Sequence, residues 1–95
     1  MDKREVERVT RYFSVLQNPL CIKVLLMLEI EELYVFEIKE KLGVTSAVAS
    51  EILQKLRLLD IVSFEQESRR RRYFLKRRDI LGLIQDFGRI TRRKS

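Results

Sequence analysis

At 95 residues the chain has room for one domain, and 45% hydrophobic with 36% charged residues is a globular composition rather than a disordered one. Histidine is absent and cysteine occurs once, which excludes imidazole catalysis, His/Cys zinc sites and an intrachain disulfide. The formal net charge of +6 suggests an acidic partner. No apolar run approaches the roughly 18 residues of a membrane span, and Met1 to Arg8 lacks the apolar segment of a signal peptide. A cytoplasmic protein with no membrane partner is therefore expected. A monomer this short buries a modest share of its surface, so a dimer that shares apolar helices would add stability.

Glycine and proline number three and one, which leaves mostly regular structure with short connections. Residues 2–17 place Val6, Val9, Phe13 and Leu16 at helical spacing with charges between, an amphipathic helix with a narrow apolar seam. Asn18-Pro19 reads as an N-cap followed by proline in the first turn. The helix it opens, about 19–30, is apolar nearly all round and belongs at the centre of the core. A short helix over about 35–42 turns Val35, Ile38 and Leu42 inward and ends at Gly43. Thr45 or Ser46 can cap the next helix, about 46–58, which buries Ala49, Ile52, Leu53 and Leu56 and leaves Ala47, Ser50, Glu51 and Gln54 outside.

Residues 61–65 read as a strand and Tyr73-Phe74-Leu75 as its partner, with residues 67–70 as the hairpin turn region. A last helix over 79–91 carries Ile80, Leu83, Ile84, Phe87 and Ile90 at helical spacing. The fold class is mainly α with a small β-hairpin, one domain over 1–95.

Charge is unevenly placed along this order. Residues 1–68 carry 9 basic and 12 acidic side chains, whereas residues 69–95 carry 11 basic and 2 acidic. Two clusters dominate: Arg69 to Arg72 at the hairpin, and Arg89, Arg92, Arg93 and Lys94 in the tail. Four consecutive arginines repel one another, and a polyanion would relieve that repulsion.

Two helices joined by Gly43-Val44-Thr45, the second displaying short polar side chains, make a helix-turn-helix. A helix enters the major groove only if its exposed face is slim enough to reach base edges. A basic hairpin immediately afterwards adds a wing able to reach neighbouring phosphates or the minor groove.

On these residues the sequence resembles the arsenic-repressor-type (ArsR-like) family of winged-helix transcriptional regulators, over about residues 13–75. Phe13 to Leu16 and Asn18 to Leu25 resemble its opening motif; Gly43 to Ser50, Leu53, Leu56 and Ile61-Val62 resemble its recognition-helix motif, and Tyr73 and Leu75 its closing strand. The multiple-antibiotic-resistance-regulator type of winged helix is a second resemblance. The first implies a dimeric winged helix joined through the first and last helices, which places Val6, Val9, Phe13, Leu16, Ile80, Leu83, Ile84 and Phe87 at the interface. The sequence departs from the metal-sensing members. Tyr34 and Phe36 stand where those carry a Cys-x-Cys pair, and no histidine is available for their alternative site, so no metal and no cofactor are expected. Cys21 stands where arginine is common, Ser68 where the wing tip has glycine, and Glu51 where the residue is often basic.

The candidate DNA contacts are Thr45, Ser46, Ala47, Ser50, Gln54 and Lys55 on the helix and Arg69, Arg70, Arg71 and Arg72 on the wing. Strand alternation prevents all four arginines from facing one way, and Arg69 and Arg70 at the tip are the stronger candidates. Glu51 can accept from a cytosine, repel phosphate, or pair with Lys55 one turn on; the pair is favoured. Tyr73 reads as a packing residue. Cys21 is a buried hydrophobe, an intersubunit disulfide or a redox switch. With no histidine to serve as base, no Gly-rich phosphate loop and no spaced carboxylate pair in an apolar setting, catalysis is not expected. The expected function is a homodimeric, sequence-specific regulator of double-stranded DNA. An architectural DNA-binding protein and a protein-interaction winged helix remain open beside it.

Overall fold

The computed structural model describes residues 1–92. The elements run α1 (Lys3–Leu16), α2 (Pro19–Ile30), β1 (Leu33–Tyr34), α3 (Val35–Leu42), α4 (Ser46–Leu58), β2 (Val62–Glu67), β3 (Arg70–Leu75) and α5 (Arg78–Arg92). Local chemistry sets the boundaries. The Asp2 carboxylate accepts from the Glu5 N–H at the start of α1. Asn18 Oδ1 accepts from the Leu20 N–H at the start of α2, where Pro19 supplies a preset φ and no orphan donor. Thr45, not Ser46, caps α4 by accepting from the Val48 N–H.

Helix α2 is the centre of the core. Cys21, Val24, Leu25 and Leu28 are buried, and α1 meets α2 at 87° across the Gln17-Asn18 break. Helices α3 and α4 lie against it and contribute Ile38, Ala49, Ile52, Leu53 and Leu56, and Leu81 of α5 completes the cluster with Leu33, Ile61, Val62, Tyr73 and Leu75 from the sheet side. No buried side-chain polar atom among the described residues lacks a partner. Among them, no single helix is long and apolar enough to cross a membrane.

The sheet differs from the expected small hairpin. It has three strands in the order β1-β3-β2, both pairings antiparallel. Strand β1 is too short to carry any periodic signal, and it forms because Leu33 is buried opposite Tyr73. The hairpin strands are also longer than expected. Register runs from Val62↔Leu75 to Glu67↔Arg70, so only Ser68 and Arg69 make the turn. Arg70, Arg71 and Arg72 therefore lie in the strand rather than at the tip, held there by cross-strand partners Glu67, Gln66 and Glu65. Ser68 takes the left-handed φ of +57° that a glycine would adopt without cost.

Gly43 makes the turn between α3 and α4 with a φ of +69°, and its N–H reaches back to the Lys39 and Glu40 carbonyls. A Cβ at this position would meet open space, so backbone conformation alone selects glycine. Gly43→Ala is expected to destabilise the protein by about 1 kcal/mol, read as a lower urea midpoint at unchanged slope.

Candidate nucleic-acid interface

The exposed side of α4 is narrow. Thr45, Ser46, Ala47, Ser50 and Gln54 are all exposed, while Ala49, Ile52, Leu53 and Leu56 fix the opposite side into the core. Glu51 pairs with Lys55 at 3.2 Å one turn on, so the carboxylate is locally neutralised and Lys55 is partly occupied. The far end of α4 is anchored from α1, where the Tyr12 hydroxyl donates to the Leu59 carbonyl at 2.9 Å. Asp60 then turns the chain with a φ of +60° and pairs with Lys76 at 2.7 Å.

The four wing arginines have four different settings. Arg69 sits in the turn, exposed. Arg70 lies over the rings of Tyr34 and Phe36, at 5.7 and 5.4 Å, and those rings stack on each other at 5.7 Å with 8° between planes. Arg71 points to the other face of the sheet, over Phe64 at 4.4 Å, and its Nε donates to Gln66 Oε1. Arg72 is half-buried between two carboxylates, Glu32 and Glu67, with Nε donating to Glu67 Oε2 at 2.6 Å. Its charge is thus spent within the fold, whereas Arg69, Arg70 and Arg71 have no carboxylate partner among the described residues.

Two features of this region escape a sequence reading. The first is the stacked pair of Tyr34 and Phe36, whose spacing of two would place them on different sides of a continuous helix; α3 starts only at Val35, so Tyr34 lies outside it and the rings meet. The Tyr34 hydroxyl donates to Glu67 at 2.6 Å, and that bond holds the phenol above its usual range. The second is Arg57, in the last turn of α4, whose guanidinium lies 5.3 Å from the Phe64 centroid. It follows Ser50 by two helical turns and so shares the Ser46, Ser50 and Gln54 face, a signal the helical wheel contains.

The expected dimer residues divide into two sets. Leu16, Ile80 and Ile84 are half-buried against the core, whereas Val6, Val9, Phe13, Leu83 and Phe87 are exposed. Helix α1 buries none of its residues within the chain. Phe13 and Phe87, 57% and 52% exposed, meet edge to face at 6.3 Å. Between α1 and α5 lies an apolar groove of about 1050 Å³ that all of the expected residues line except Val6, which faces Glu7 and Thr10 on the far side of α1.

Cys21 is fully buried, and burial pushes its thiol up, against a smaller opposing effect of the Lys55 charge. A disulfide to a second chain needs the two sulfurs about 2 Å apart, so bridging Cys21 would require opening the core; the small-hydrophobe role is the one its position fits. In the basic tail, Arg89 pairs with Asp86 and Arg92 ends α5, and Arg93 and Lys94 lie outside the described residues.

No protein-family model matches the chain, and no curated protein matches it by sequence. Solved structures do match. HlyU from Vibrio cholerae is similar with a TM-score of 0.79 at 23% identity over 95% of this chain and 97% of that one. NolR from Sinorhizobium fredii is similar with a TM-score of 0.83 at 24% identity, over 92% and 87%. A homodimeric winged helix-turn-helix DNA-binding domain from Mycobacterium bovis, a possible ArsR-family transcriptional regulator, gives 0.83 at 23% identity over 100% and 94%. The likeness is one of fold, a winged helix with its flanking helices, and it extends over nearly the whole chain.

The Tyr34–Glu67 bond favours the protonated phenol in the folded state. Its contribution is present below the ordinary tyrosine range and is lost as pH rises through the raised value. Glu67→Gln is expected to bring one of the three tyrosines back down toward the ordinary range, read as phenolate absorbance during an alkaline titration.

Proposed function

We propose that the protein is a sequence-specific, double-stranded DNA-binding transcriptional regulator acting as a cytoplasmic homodimer. Helix α4 lies in the major groove, and the wing formed by β2 and β3 grips the flanking backbone or minor groove. One observation carries the reading: a slim, exposed face on a capped helix is followed directly by a hairpin whose Arg69, Arg70 and Arg71 hold no carboxylate among the described residues. Short side chains such as Ser50 and Gln54 let the helix approach base edges, and unneutralised arginines suit phosphate oxygens.

The homodimer rests on the uncovered apolar faces of α1 and α5. Phe13, Leu83 and Phe87 are each more than half exposed, which is costly for so small a chain standing alone. A two-fold pair of such subunits presents two α4 helices, and its site is a pseudo-palindrome with half-sites about one helical turn apart. The homodimeric state of the similar domain from Mycobacterium bovis supports this arrangement. No metal belongs to the reading, because the Tyr34 hydroxyl is engaged with Glu67, Phe36 offers no ligand atom and Cys21 is enclosed. Nor does catalysis: the sequence holds no histidine to serve as a base and no Gly-rich phosphate loop.

Selection from a random duplex library, with binding repeated at two salt concentrations, tests the whole reading. Enrichment of one pseudo-palindrome is expected. Salt-sensitive binding without enrichment would make the protein architectural, and no binding at low salt would turn attention to a protein partner. Arg69→Ala is expected to weaken binding on every duplex and lower the salt slope by about one. Phe13→Glu is expected to shift the sedimenting species from dimer to monomer and to cost roughly tenfold or more in affinity for a two-half-site duplex. A Phe13→Glu protein that still sediments as a dimer would place the interface elsewhere.

A further inference from the structure

Phe64, in β2, carries two guanidinium groups rather than one. Arg71 from β3 lies 4.4 Å from the ring centroid and Arg57 from α4 lies 5.3 Å away. The two cations are therefore no farther apart than those distances combined, on the order of the roughly 8 Å screening length at physiological salt. Among the described residues neither has a carboxylate partner. Nearby cations are handled differently: Lys55 lies on Glu51, Lys76 on Asp60, and Arg72 between Glu32 and Glu67. An aromatic face attracts each cation but neutralises neither. An anion at the same place would relieve their repulsion more than solvent and salt screening do.

The surroundings hold the pair in place. Gln66 Oε1 accepts from Arg71 Nε at 3.3 Å, while Gln66 Nε2 donates to the Ser68 and Arg70 carbonyls, so one amide ties the Arg71 side chain to the wing tip. Arg57 extends the Ser46, Ser50 and Gln54 stripe to the end of α4, where that face meets the wing at Phe64.

We propose that Arg57 and Arg71, docked on Phe64, form a two-pronged site for one phosphodiester of the DNA backbone at the junction of α4 and the wing. The inference rests on the DNA-binding reading above and deepens it. Each guanidinium fork can meet phosphate oxygens with paired N–H donors. Docking on the ring reduces the side-chain freedom left to lose on binding. Gln66 is a positioning residue, since it takes the Nε–H of Arg71 and leaves the terminal nitrogens for the phosphate.

The test compares wild type with Arg57→Gln, Arg71→Gln, the double variant and Arg57→Lys, on the selected duplex and a scrambled one, between about 50 and 200 mM salt. Each glutamine variant is expected to lose about tenfold on both duplexes, and only the double variant to lower the salt slope by about one, for the single phosphate the pair holds. The double variant is expected to lose less than the product of the singles, because the two arginines share a phosphate. Arg57→Lys is expected to keep the slope yet lose affinity, since charge remains and the fork does not. An unchanged slope in the double variant, alongside a lowered one in Arg69→Ala, overturns the site and leaves the wing reading standing. Single losses that simply multiply in the double overturn the shared phosphate. A wild type that binds neither duplex overturns both readings. Inorganic phosphate titrated against chloride at equal ionic strength, followed through the Arg57 and Arg71 Nε–H signals, separates the two sources of the anion. Saturable shifts without DNA, combined with unchanged DNA slopes in the variants, would assign the site to a free anion and overturn the backbone assignment.

Discussion

The packing of α2 against five other elements, with one stripe of Lys23, Leu26 and Ile30 left exposed, is the constraint on which this fold depends. An amphipathic helix needs one neighbour; α2 needs several, and it meets α1, α3, α4, α5 and β3. Val24 and Leu25 are wholly enclosed, each worth on the order of 2 kcal/mol in apolar burial. Only Pro19, Lys23, Leu26, Glu29 and Ile30 are exposed, so the neighbours of α2 cannot slide around it without opening gaps in a close-packed core. The turn from α3 to α4 and the strand β3 are consequently held at fixed positions relative to each other, and with them the two surfaces proposed to touch DNA.

The helices are legible in the sequence because their ends carry chemistry as well as periodicity. Asn18-Pro19, Gly43 and Thr45 punctuate the chain where α2, α3 and α4 begin or end, and apolar spacing fills the intervals. The strands are less legible. Arginine has no particular strand preference, so Arg70 to Arg72 read as a loop until the partners across the hairpin are known. Strand β1 has no pattern at all, since two residues cannot show a period, and it exists through the burial of Leu33. The candidate site divides the same way. The Glu51–Lys55 pair follows from spacing on one helix, whereas the capture of Arg72 by Glu32 and Glu67 joins three separate segments and no local rule anticipates it.

Net charge is a poor guide to which cations are available. The last third of the chain holds the positive excess, yet Arg72, Lys76, Arg77 and Arg89 each sit on a carboxylate. The Arg77–Asp79 pair holds the Asp79 carboxyl below its ordinary range, mainly through the hydrogen bond from Arg77, an exposed contact of small energetic weight. What remains is a smaller set in which aromatic rings replace carboxylates as partners: Tyr34 and Phe36 under Arg70, Phe64 under Arg71 and Arg57. A ring orders a guanidinium without cancelling its charge. Arg72 is committed to the sheet, whereas Arg57, Arg70 and Arg71 keep an uncancelled charge.

The Tyr12 hydroxyl bond to the Leu59 carbonyl works as a strut. It joins α1, which meets the second subunit in the proposed dimer, to the end of α4, the helix proposed to meet the DNA. Two such struts across a two-fold axis would make the assembly a gauge of fixed length rather than a pair of tethered heads. One base pair inserted between half-sites rotates one of them by roughly a tenth of a turn about the duplex, and a stiff gauge has no joint with which to follow. Mismatched spacing would then be rejected as firmly as a mismatched base.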